Sequence, residues 1–371
     1  MTFCIITHVP HCYSENNYFG YAPYVHEMNI WLKNVDKVII VAPLKKYPIT
    51  AIHQSYNHNN IQFIEVPDFS LTSFKSILKT IIVVPIIFFR ILKAMSSSNH
   101  IHLRCPGNMG LLGSFAQIFF PSKTKTAKYA GNWDANSKQP LSYRIQKSIL
   151  SNTFLTKKMS VLVYGEWNNQ TKNIKPFFTA TYRESEKEIL KPKDFSETIN
   201  FLFVGTLVKG KQPLYAIKLI EQLKSKGKNV QLSIYGNGSE NNVLQEYINN
   251  NSLNDFVSLK GTADKETMKK IYQDSHFLIL PSKSEGWPKV VAEAMFFGCL
   301  PIATKVSCVP NMLDNGNRGI LLNEEINSDV CQIEELLSNQ ELYNSKIKAA
   351  INWSRNFTID KFEDEIKKLL A

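Results

Sequence analysis

The sequence predicts two doubly wound α/β domains of Rossmann type, and three observations lead to this fold class. The chain has 371 residues, which exceeds one ordinary domain. Its apolar fraction of 44% suffices for two cores. Short apolar runs alternate with helical patterns, as in a parallel sheet covered by helices. The alternation is complete over residues 276–304, with a strand at 277–280, a loop at 281–287, a helix at 289–297 and a strand at 300–303.

The net charge of +11 is concentrated in the first half of the chain. Residues 1–190 hold 21 of the 43 Lys and Arg but only 10 of the 32 Asp and Glu, and the remainder is balanced. A basic half indicates an anionic substrate or an anionic surface, and an ordinary solvated surface is an equal alternative. We expect no nucleic-acid partner, because no recognisable nucleic-acid-binding module accompanies the charge.

The cysteines and the N-terminal residues predict a cytoplasmic protein. The six cysteines are scattered without a C-x-x-C pair, which is typical of buried thiols in a reducing compartment. The first eight residues have no basic lead and no long apolar segment, so we expect no signal peptide. His8, His11 and Cys12 are close in sequence but do not define a tetrahedral site, so we expect no metal and no cofactor.

The first domain is predicted from six short apolar runs. A loop is expected over 8–24, and its Tyr, Phe and His rings suit either a sugar or a packed aromatic loop. A second loop is expected over 165–180, followed by an interdomain linker over 181–197. The predicted strands cover residues 3–7, 38–42, 61–66, 101–104, 128–130 and 161–164.

Residues 77–92 are the most apolar segment of the chain, and Pro85 and two basic residues interrupt it. The segment is shorter than the roughly twenty residues that a membrane span needs. A buried helix is the first interpretation. The alternative is a helix lying on an anionic membrane surface, with Lys75, Lys79, Arg90 and Lys93 beside it.

The second domain begins with a strand at 200–204, a turn from Gly205 to Lys211 and a helix at 212–225. A glycine turn with lysines at the end of a strand predicts a diphosphate site, and a solvated lysine turn is the alternative. The later glycine turn at Gly236 lacks the third glycine of a dinucleotide fingerprint, because Asn241 stands there. NAD is therefore not expected. Further strands are predicted at 231–235, 257–260 and 320–322, with a helix at 265–273.

Two glutamates follow the predicted strand at 277–280, at a second strand end where a ligand is expected to bind. Glu285 lies in the loop after a strand, where open parallel sheets bind ligands. Glu293 is one carboxylate on a largely apolar helix, and a buried carboxylate needs hydrogen-bonding partners. The amides beginning at Gly286, next to a helix N-terminus, suit a phosphate. Together these groups predict a sugar-nucleotide site, and a solvated helix with chance charges is the alternative.

The two glutamates, in the context Ser-Glu-Gly-Trp-Pro-Lys-Val-Val-Ala-Glu-Ala-Met, resemble the E-x7-E motif of retaining glycosyltransferases of family 4. The turn Gly205-Thr206-Leu207 with Lys211 is similar to the Gly-Arg-Leu and lysine motif of that family, although Thr206 replaces the usual arginine. The resemblance covers residues 199–322 well and the first domain only as alternating strands and helices.

The resemblance implies the GT-B fold, in which two Rossmann-like domains face each other across a cleft. It implies an acceptor-binding domain over 1–190, a nucleotide-sugar-binding domain over 191–352 and a C-terminal helix over 353–371 that crosses back to the first domain.

The resemblance also assigns roles to individual residues. Glu285 and Lys211 are the expected catalytic residues, of which Glu285 binds hydroxyls of the donor sugar and Lys211 its diphosphate. Glu293 is expected to bind the ribose. Further donor contacts are expected from Gly205, Thr206, Lys209, Gly236, Asn237, Lys260, Gly286, Trp287, Pro288 and Lys289. Acceptor contacts are expected from Gly20, Arg104, Asn132 and Asp134. This domain departs from the family pattern, because Arg104 stands where the family often has one histidine and either Asn132 or Trp133 where it often has another.

The implied function is a retaining, metal-independent hexosyltransferase that acts in cell-surface polysaccharide or lipopolysaccharide synthesis. The expected partners are a UDP-, GDP- or ADP-linked sugar and a saccharide or lipid-linked acceptor, with peripheral contact at the inner face of the cell membrane. One alternative is a sugar-nucleotide epimerase or hydrolase on the same fold. The other is a sugar-nucleotide-binding protein without catalytic activity.

Overall fold

The computed structural model describes residues 1–50, 52–67 and 74–371, with the side chains of residues 74–82 outside the description. The chain divides into two compact units. Unit 1 comprises Met1–Phe178 with Phe362–Ala371, and unit 2 comprises Thr179–Lys361. The first boundary thus lies at 178, twelve residues before the expected position at 190, because segment 179–186 bonds to residues of unit 2, as in the contact of Thr181 with Glu293.

Unit 1 is built on a seven-stranded parallel sheet in the order β10-β9-β8-β7-β1-β4-β6. The strands of this sheet are β1 (Thr2–Ile6), β4 (Lys37–Pro43), β6 (Ile61–Val66), β7 (His100–Cys105), β8 (Thr124–Tyr129), β9 (Met159–Tyr164) and β10 (Ile174–Phe177). The helices are α1 (Ala22–Leu32), α2 (Phe74–Ser96), α3 (Asn108–Ala116) and α4 (Leu141–Ser151), and a 3₁₀ turn, Gln117–Phe119, follows α3.

The loop predicted over residues 8–24 is wrong. The structure has two strands there, β2 (Cys12–Ser14) and β3 (Asn17–Tyr21), which pair with β5 (His53–Ser55) in a small antiparallel sheet. The hairpin turns at Glu15 and Asn16, whose φ angles of 51° and 60° match a tight two-residue turn. Such turns usually carry Asn-Gly or Asp-Gly, so this sequence lacked the ordinary signal.

The loop predicted over 165–180 is also wrong in part, because β10 forms there. It pairs with β9 at the edge of the sheet and contains Pro176. An edge strand accepts proline, since its outer N–H groups need no partner strand.

Segment 77–92 belongs to the 23-residue helix α2, but the prediction that it is buried holds for one face only. Ile87 and Ile91 are buried against the sheet, whereas Ile86 and Phe89 are exposed. The side chains of Lys75 and Lys79, named in the membrane alternative, lie outside the described residues. None of the helices searched in the described part of the chain is long and apolar enough to cross a membrane.

Unit 2 is built on a six-stranded parallel sheet in the order β13-β12-β11-β14-β15-β16. Its strands are β11 (Ile199–Val204), β12 (Val230–Tyr235), β13 (Val257–Gly261), β14 (Phe277–Leu280), β15 (Leu300–Thr304) and β16 (Ile320–Leu322). Its helices are α5 (Pro213–Ser225), α6 (Asn241–Asn250), α7 (Lys265–Asp274), α8 (Lys289–Phe296), α9 (Val309–Met312), α10 (Ile326–Leu337) and α11 (Gln340–Ser354).

The last helix, α12 (Ile359–Leu370), begins in unit 2 and continues in unit 1 from Phe362. Within unit 1 the Phe362 ring packs on Phe177 and Phe178, with centroids 5.4 and 5.7 Å away. This contact gives the end of the chain a place in the apolar core of unit 1.

Candidate functional site

The carboxyl ends of β11 and β14 meet where the strand order of unit 2 reverses. From β11 the sheet continues through β12 and β13 on one side, and through β14, β15 and β16 on the other. The loops that follow the two central strands therefore diverge and leave a crevice, which is where open parallel sheets bind ligands.

Lys211 and Glu285 form the ionic centre of this crevice. Lys211 ends the 3₁₀ turn Lys209–Lys211 after β11, and Glu285 lies in the loop after β14. The Lys211 Nζ lies 2.5 Å from Glu285 Oε1, and the side chains are 29% and 8% exposed. The two predicted catalytic residues are thus in direct contact, and Lys211 is the more exposed of the two. An anionic ligand that reaches it would compete with Glu285 for the charge.

The direction of Lys211 is fixed by the residue that follows it. Gln212 has a left-handed backbone, with φ 52°, and Pro213 begins α5 directly after it. The Gln212 side-chain amide donates to the Pro281 carbonyl oxygen at 2.6 Å and to Glu324 Oε1 at 3.0 Å. These bonds tie the loop after β11 to the loop after β14.

Two glycine turns approach each other so closely that side chains are excluded. A Cβ atom on Gly236 would lie 1.9 Å from the Gly205 carbonyl oxygen, and one on Gly238 would lie 2.2 Å from that of Leu207. The Leu207 amide donates to the Asn237 carbonyl oxygen at 3.1 Å. The structure therefore brings the predicted residues Gly205, Gly236 and Asn237 together at the ends of β11 and β12.

The loop that precedes α8 is held by hydrogen bonds from two side chains that directly precede α9. The Gly286 carbonyl oxygen accepts from the Ser307 hydroxyl and the Cys308 thiol, both at 3.1 Å. Pro288 is the N-cap of α8 and makes no side-chain capping bond in the described structure. The amides of Lys289 and Val290 are the first two of α8, and amides at a helix N-terminus suit an anion because the helix itself offers them no carbonyl partner.

Trp287 is packed as an anchor of this loop. Its ring is buried, with centroids 6.0 Å from Trp353 and 5.5 Å from Phe357. The contact fixes the loop to the region after α11. The expected contact of Trp287 with the donor remains a prediction.

Glu293 is held by two hydroxyl groups. Thr181 Oγ1 donates to one carboxylate oxygen at 2.6 Å, and the Tyr272 hydroxyl donates to the other at 2.9 Å. Burial, and after it the nearby Glu293 charge, raise the pKa of Tyr272 well above its ordinary value, so this hydroxyl stays protonated and donates. Each carboxylate oxygen keeps a second lone pair that can accept from a ligand.

The remaining predicted donor residues lie on the rim of unit 2. Thr206 and Lys209 are exposed in the loop after β11. Lys260 is exposed near the end of β13, where the pairing with β12 shifts register. These three residues are at strand ends. Among the bonds of the described residues, none connects their side chains to Lys211 or Glu285.

Unit 1 places Arg104 in a buried ionic cluster. Its Nη1 lies 2.9 Å from Glu27 Oε1, and Lys128 Nζ lies 3.1 Å from the same oxygen. Lys128 is fully buried and also donates to the Phe178 carbonyl oxygen at 3.2 Å. Arg104 was predicted from its position at a strand end, and the structure puts it at the reversal of strand order between β1 and β7. Two cations share one carboxylate here.

His8 follows β1 and adds a titratable group at the same reversal. A Cβ atom on Gly107 would lie 2.8 Å from His8 Nδ1, so glycine gives the ring its space. Desolvation, and then the charge of Arg104, lower the pKa of His8. A neutral imidazole at this position can accept a proton from a ligand hydroxyl.

Gly20, Asn132 and Asp134 are distributed over unit 1. Gly20 lies within β3, where a Cβ atom would lie 3.1 Å from Val25 and 3.4 Å from the His11 ring. Asn132 Oδ1 accepts from the Asp134 amide at 2.8 Å, and Asp134 Oδ1 accepts from the Asn136 amide at 2.9 Å. The last two side chains thus shape the loop after β8, and the acceptor roles of all three remain predictions.

Sequence reasoning missed Lys128, Tyr272 and Thr181 as members of these clusters. Lys128 carried a usable signal, because a charged residue inside a strand of a two-sided parallel sheet must find a buried partner. Thr181 and Tyr272 carried none, since they lie 112 and 21 positions from Glu293 and only the fold joins them.

Comparison with known proteins bears on this region. Residues 184–353 match the family model described as Glycosyl transferases group 1. Unit 2 is therefore similar to glycosyltransferases of group 1. The match includes Lys211, Glu285 and Glu293 and lies almost wholly within unit 2.

Relatives with curated names agree with this match. An uncharacterized glycosyltransferase of Haemophilus influenzae is 30% identical over 178 residues, which are 47% of this chain and 49% of the relative. The GalNAc-alpha-(1->4)-GalNAc-alpha-(1->3)-diNAcBac-PP-undecaprenol alpha-1,4-N-acetyl-D-galactosaminyltransferase of Campylobacter jejuni is 26% identical over 198 residues, 50% and 54% of the two chains. The chain spans about half the length of the curated relatives that it matches.

The solved structures support the fold over the whole chain. Alr3699/HepE of Anabaena, in complex with UDP-glucose, aligns with a TM-score of 0.66 at 12% identity, covering 100% of this chain and 99% of the other. The predicted α/β class of GT-B type, with two Rossmann-like units, is confirmed. Together the comparisons support a glycosyltransferase.

Proposed function

We propose that this protein transfers a hexose from a nucleotide-diphosphate sugar to a saccharide or lipid-linked acceptor, with retention of the anomeric configuration. The observation that carries the proposal is the contact of Lys211 with Glu285 at the strand-order reversal of unit 2, inside the region that matches glycosyltransferases. It supplies a cation for a diphosphate and a carboxylate for sugar hydroxyls at one place.

In this proposal, Lys211 and the first amides of α8 stabilise the departing diphosphate, because both present positive charge or N–H donors to the crevice. When the phosphate binds Lys211 in place of Glu285, the Glu285 carboxylate becomes free to bind hydroxyls of the sugar. Glu293 binds the ribose through its second lone pairs, with Thr181 and Tyr272 fixing its orientation. Gly205, Gly236 and Asn237 provide the wall beside the nucleotide.

We propose attack by the acceptor on the face that the diphosphate leaves. The bond between the anomeric carbon and the phosphate oxygen breaks, the acceptor oxygen bonds to that carbon, and the acceptor proton passes to the departing phosphate. The sugar thereby keeps its configuration without a covalent intermediate on the protein. Lys211 and the amides fill the charge-stabilising role, so the proposal assigns no metal and no cofactor.

The acceptor is proposed to belong to a cell-surface polysaccharide or lipopolysaccharide, handled at the cytoplasmic face of the membrane. Support comes from two relatives, the PP-undecaprenol-linked enzyme above and an amylovoran biosynthesis glycosyltransferase of Erwinia amylovora. Arg104, Asn132, Asp134 and Gly20 are the proposed acceptor-side residues of unit 1.

The proposal is tested first by thermal-shift screening with UDP, GDP, ADP and their sugars, since a ligand of the folded state raises the melting temperature. Transfer is then measured with the donor that binds, using a panel of lipid-linked saccharides, and the anomeric configuration of the product is read by NMR. We expect a retained configuration. Lys211→Gln should lower kcat/KM about 10²–10³-fold, whereas Lys224→Gln, an exposed lysine on α5, should not.

Three other outcomes would contradict the proposal. An inverted product would exclude same-face attack. Equal turnover of the donor without acceptor would favour the epimerase or hydrolase. Tight donor binding with no turnover across the acceptor panel would favour a binding protein.

A further inference from the structure

Helices α2, α3 and α4 form one layer on a single face of the unit 1 sheet. Their crossovers run from β6 to β7, from β7 to β8 and from β8 to β9, all in the same direction along the sheet. Right-handed crossovers in one direction place their helices on one face, and α1, whose crossover runs the other way, lies on the opposite face. In agreement, α2 packs on α3 and α3 packs on α4.

The outer surface of this layer carries large apolar side chains. Phe89, Phe119 and Phe154 are 68%, 67% and 75% exposed. Half of the large apolar residues that are exposed in the described part of the chain lie on these helices or directly after them. They are Ile86, Phe89, Phe115, Phe119, Leu141, Ile145 and Phe154. Large apolar side chains exposed together on one helical layer are typical of an interaction site.

The apolar residues of α2 and α3 are adjacent in space. The ring of Phe88 contacts that of Phe119, with centroids 6.4 Å apart. Phe115 and Phe119 are separated by one helical turn. Lys123 Nζ, just beyond Phe119, donates to carbonyl oxygens at the end of α2, among them Met95 at 2.6 Å. The outer side chains of α2 therefore lie next to those of the turn that follows α3.

The part of the chain that contains these helices, residues 69–165, holds the whole excess of positive charge. Residues 69–165 contain one carboxylate, that of Asp134, and thirteen cationic side chains: Lys75, Lys79, Arg90, Lys93, Arg104, Lys123, Lys125, Lys128, Lys138, Arg144, Lys147, Lys157 and Lys158. The rest of the chain is left with 30 of the 43 Lys and Arg against 31 of the 32 Asp and Glu. The exposed cations beside the apolar residues are Arg90, Lys93, Lys138, Arg144, Lys157 and Lys158.

We propose that this surface, the outer face of α2, α3 and α4 with Phe119 and Phe154, docks on an anionic lipid bilayer. The phenylalanines enter the boundary between headgroups and acyl chains, and the cations bind lipid phosphates. An acidic polysaccharide or a nucleic acid would also attract the cations. Neither offers an apolar phase for Phe89 and Phe119. An anionic bilayer accounts for both the exposed cations and the exposed apolar side chains.

The inference does not depend on the transferase proposal, because every residue in it lies away from Lys211 and Glu285 in the sequence and within unit 1. It adds a defined partner surface to that proposal. Docking would hold the protein where lipid-linked acceptors reside.

The test is co-sedimentation of the full chain with vesicles of phosphatidylcholine alone and with 30% phosphatidylglycerol, without donor or acceptor. We expect binding to the anionic vesicles only. Arg90→Gln with Lys93→Gln should weaken partition about thirtyfold, since each basic residue near the surface contributes about a fivefold factor. Phe89→Ser with Phe119→Ser should weaken it about tenfold or more. Ile189→Ser and Lys348→Gln, exposed in unit 2, serve as matched controls and should leave partition unchanged.

Three results would overturn the inference. Equal binding to neutral vesicles, or none to either kind, excludes an anionic bilayer. Loss of binding in the charge variant with full binding in the phenylalanine variant indicates a polyanion site instead. Thermal unfolding of each variant separates these results from misfolding.

Discussion

The polar centres at the two strand-order reversals differ in their access to solvent. In unit 1, Glu27 accepts from Arg104 and Lys128 in a cluster whose side chains are almost wholly buried. In unit 2, Lys211 contacts Glu285 while 29% of the Lys211 side chain stays exposed. A buried ionic cluster is exchanged for a ligand only at high cost, whereas an open pair can release one partner to an anion. The difference indicates that Glu27 and Lys128 hold Arg104 in a fixed position in unit 1, whereas Lys211 can exchange Glu285 for a ligand in unit 2.

The largest effect that would sharpen this comparison is expected from Glu27→Gln. The change leaves Arg104 and Lys128 buried without their shared carboxylate, and breaking a buried ion pair costs about 3–5 kcal/mol. Urea unfolding should show a loss of that size. The control is Glu334→Gln, which removes the exposed contact with Lys226 and should change stability little. A change below about 1 kcal/mol for Glu27→Gln would mean that the cluster is not structural.

The next largest effect is expected when the pH is lowered, because unit 1 contains buried neutral histidines. Burial lowers the pKa of His11 to about 4 and that of His100 to about 4, and it also lowers the pKa of His102 well below its ordinary value. Because the unfolded chain titrates near 6.5, the contribution of these neutral rings is complete above that pH and is lost as the pH falls from about 6.5 toward 4. At pH 5 the loss should be about 2 kcal/mol for each of His11 and His100.

Unit 2 provides the internal control for this prediction, since His276 is the single histidine in its sequence. Hydrogen exchange, corrected for the intrinsic effect of pH, should show protection falling more in peptides of unit 1 than in those of residues 179–361 between pH 7.5 and pH 5. Equal losses in both units would refute the assignment to buried histidines.

A smaller effect is expected from Tyr272→Phe in unit 2. The substitution removes one of the two hydroxyls that hold Glu293, and a typical buried hydrogen bond contributes about 1 kcal/mol. Urea unfolding measures the loss. Tyr247→Phe, which removes a similar bond to Glu221 at 2.7 Å on a more exposed helix, is the matched control and should cost less. A larger loss of stability in Tyr247→Phe than in Tyr272→Phe would contradict the claim that Tyr272 fixes Glu293.

The comparison of units also shows what the sequence can predict. The buried strands and the loop motifs of unit 2 were accessible because each is a local pattern: an apolar run, a glycine turn, a glutamate at a fixed spacing. Lys211 and Glu285 could be placed at neighbouring strand ends because both follow apolar runs in one parallel sheet.

The parts that escaped prediction depend on distant residues or on unusual local chemistry. The hairpin at Glu15 and Asn16 lacks the usual glycine, and β10 contains Pro176, which only its edge position permits. The partnership of Arg104 with Glu27 and Lys128 joins three elements, and no spacing in the sequence reveals it. Such contacts follow from topology, so they required the structure.

The central claim, that Lys211 binds the diphosphate of a nucleotide sugar, is tested most directly by isothermal titration of the nucleoside diphosphate selected by thermal shift. Lys211→Gln should raise Kd about tenfold or more relative to the native protein, because a charge-assisted bond to phosphate is lost. Glu285→Gln should leave Kd for the diphosphate unchanged or lower it, since the lysine is freed, and should weaken binding of the intact nucleotide sugar. Unchanged diphosphate affinity in Lys211→Gln would contradict the account.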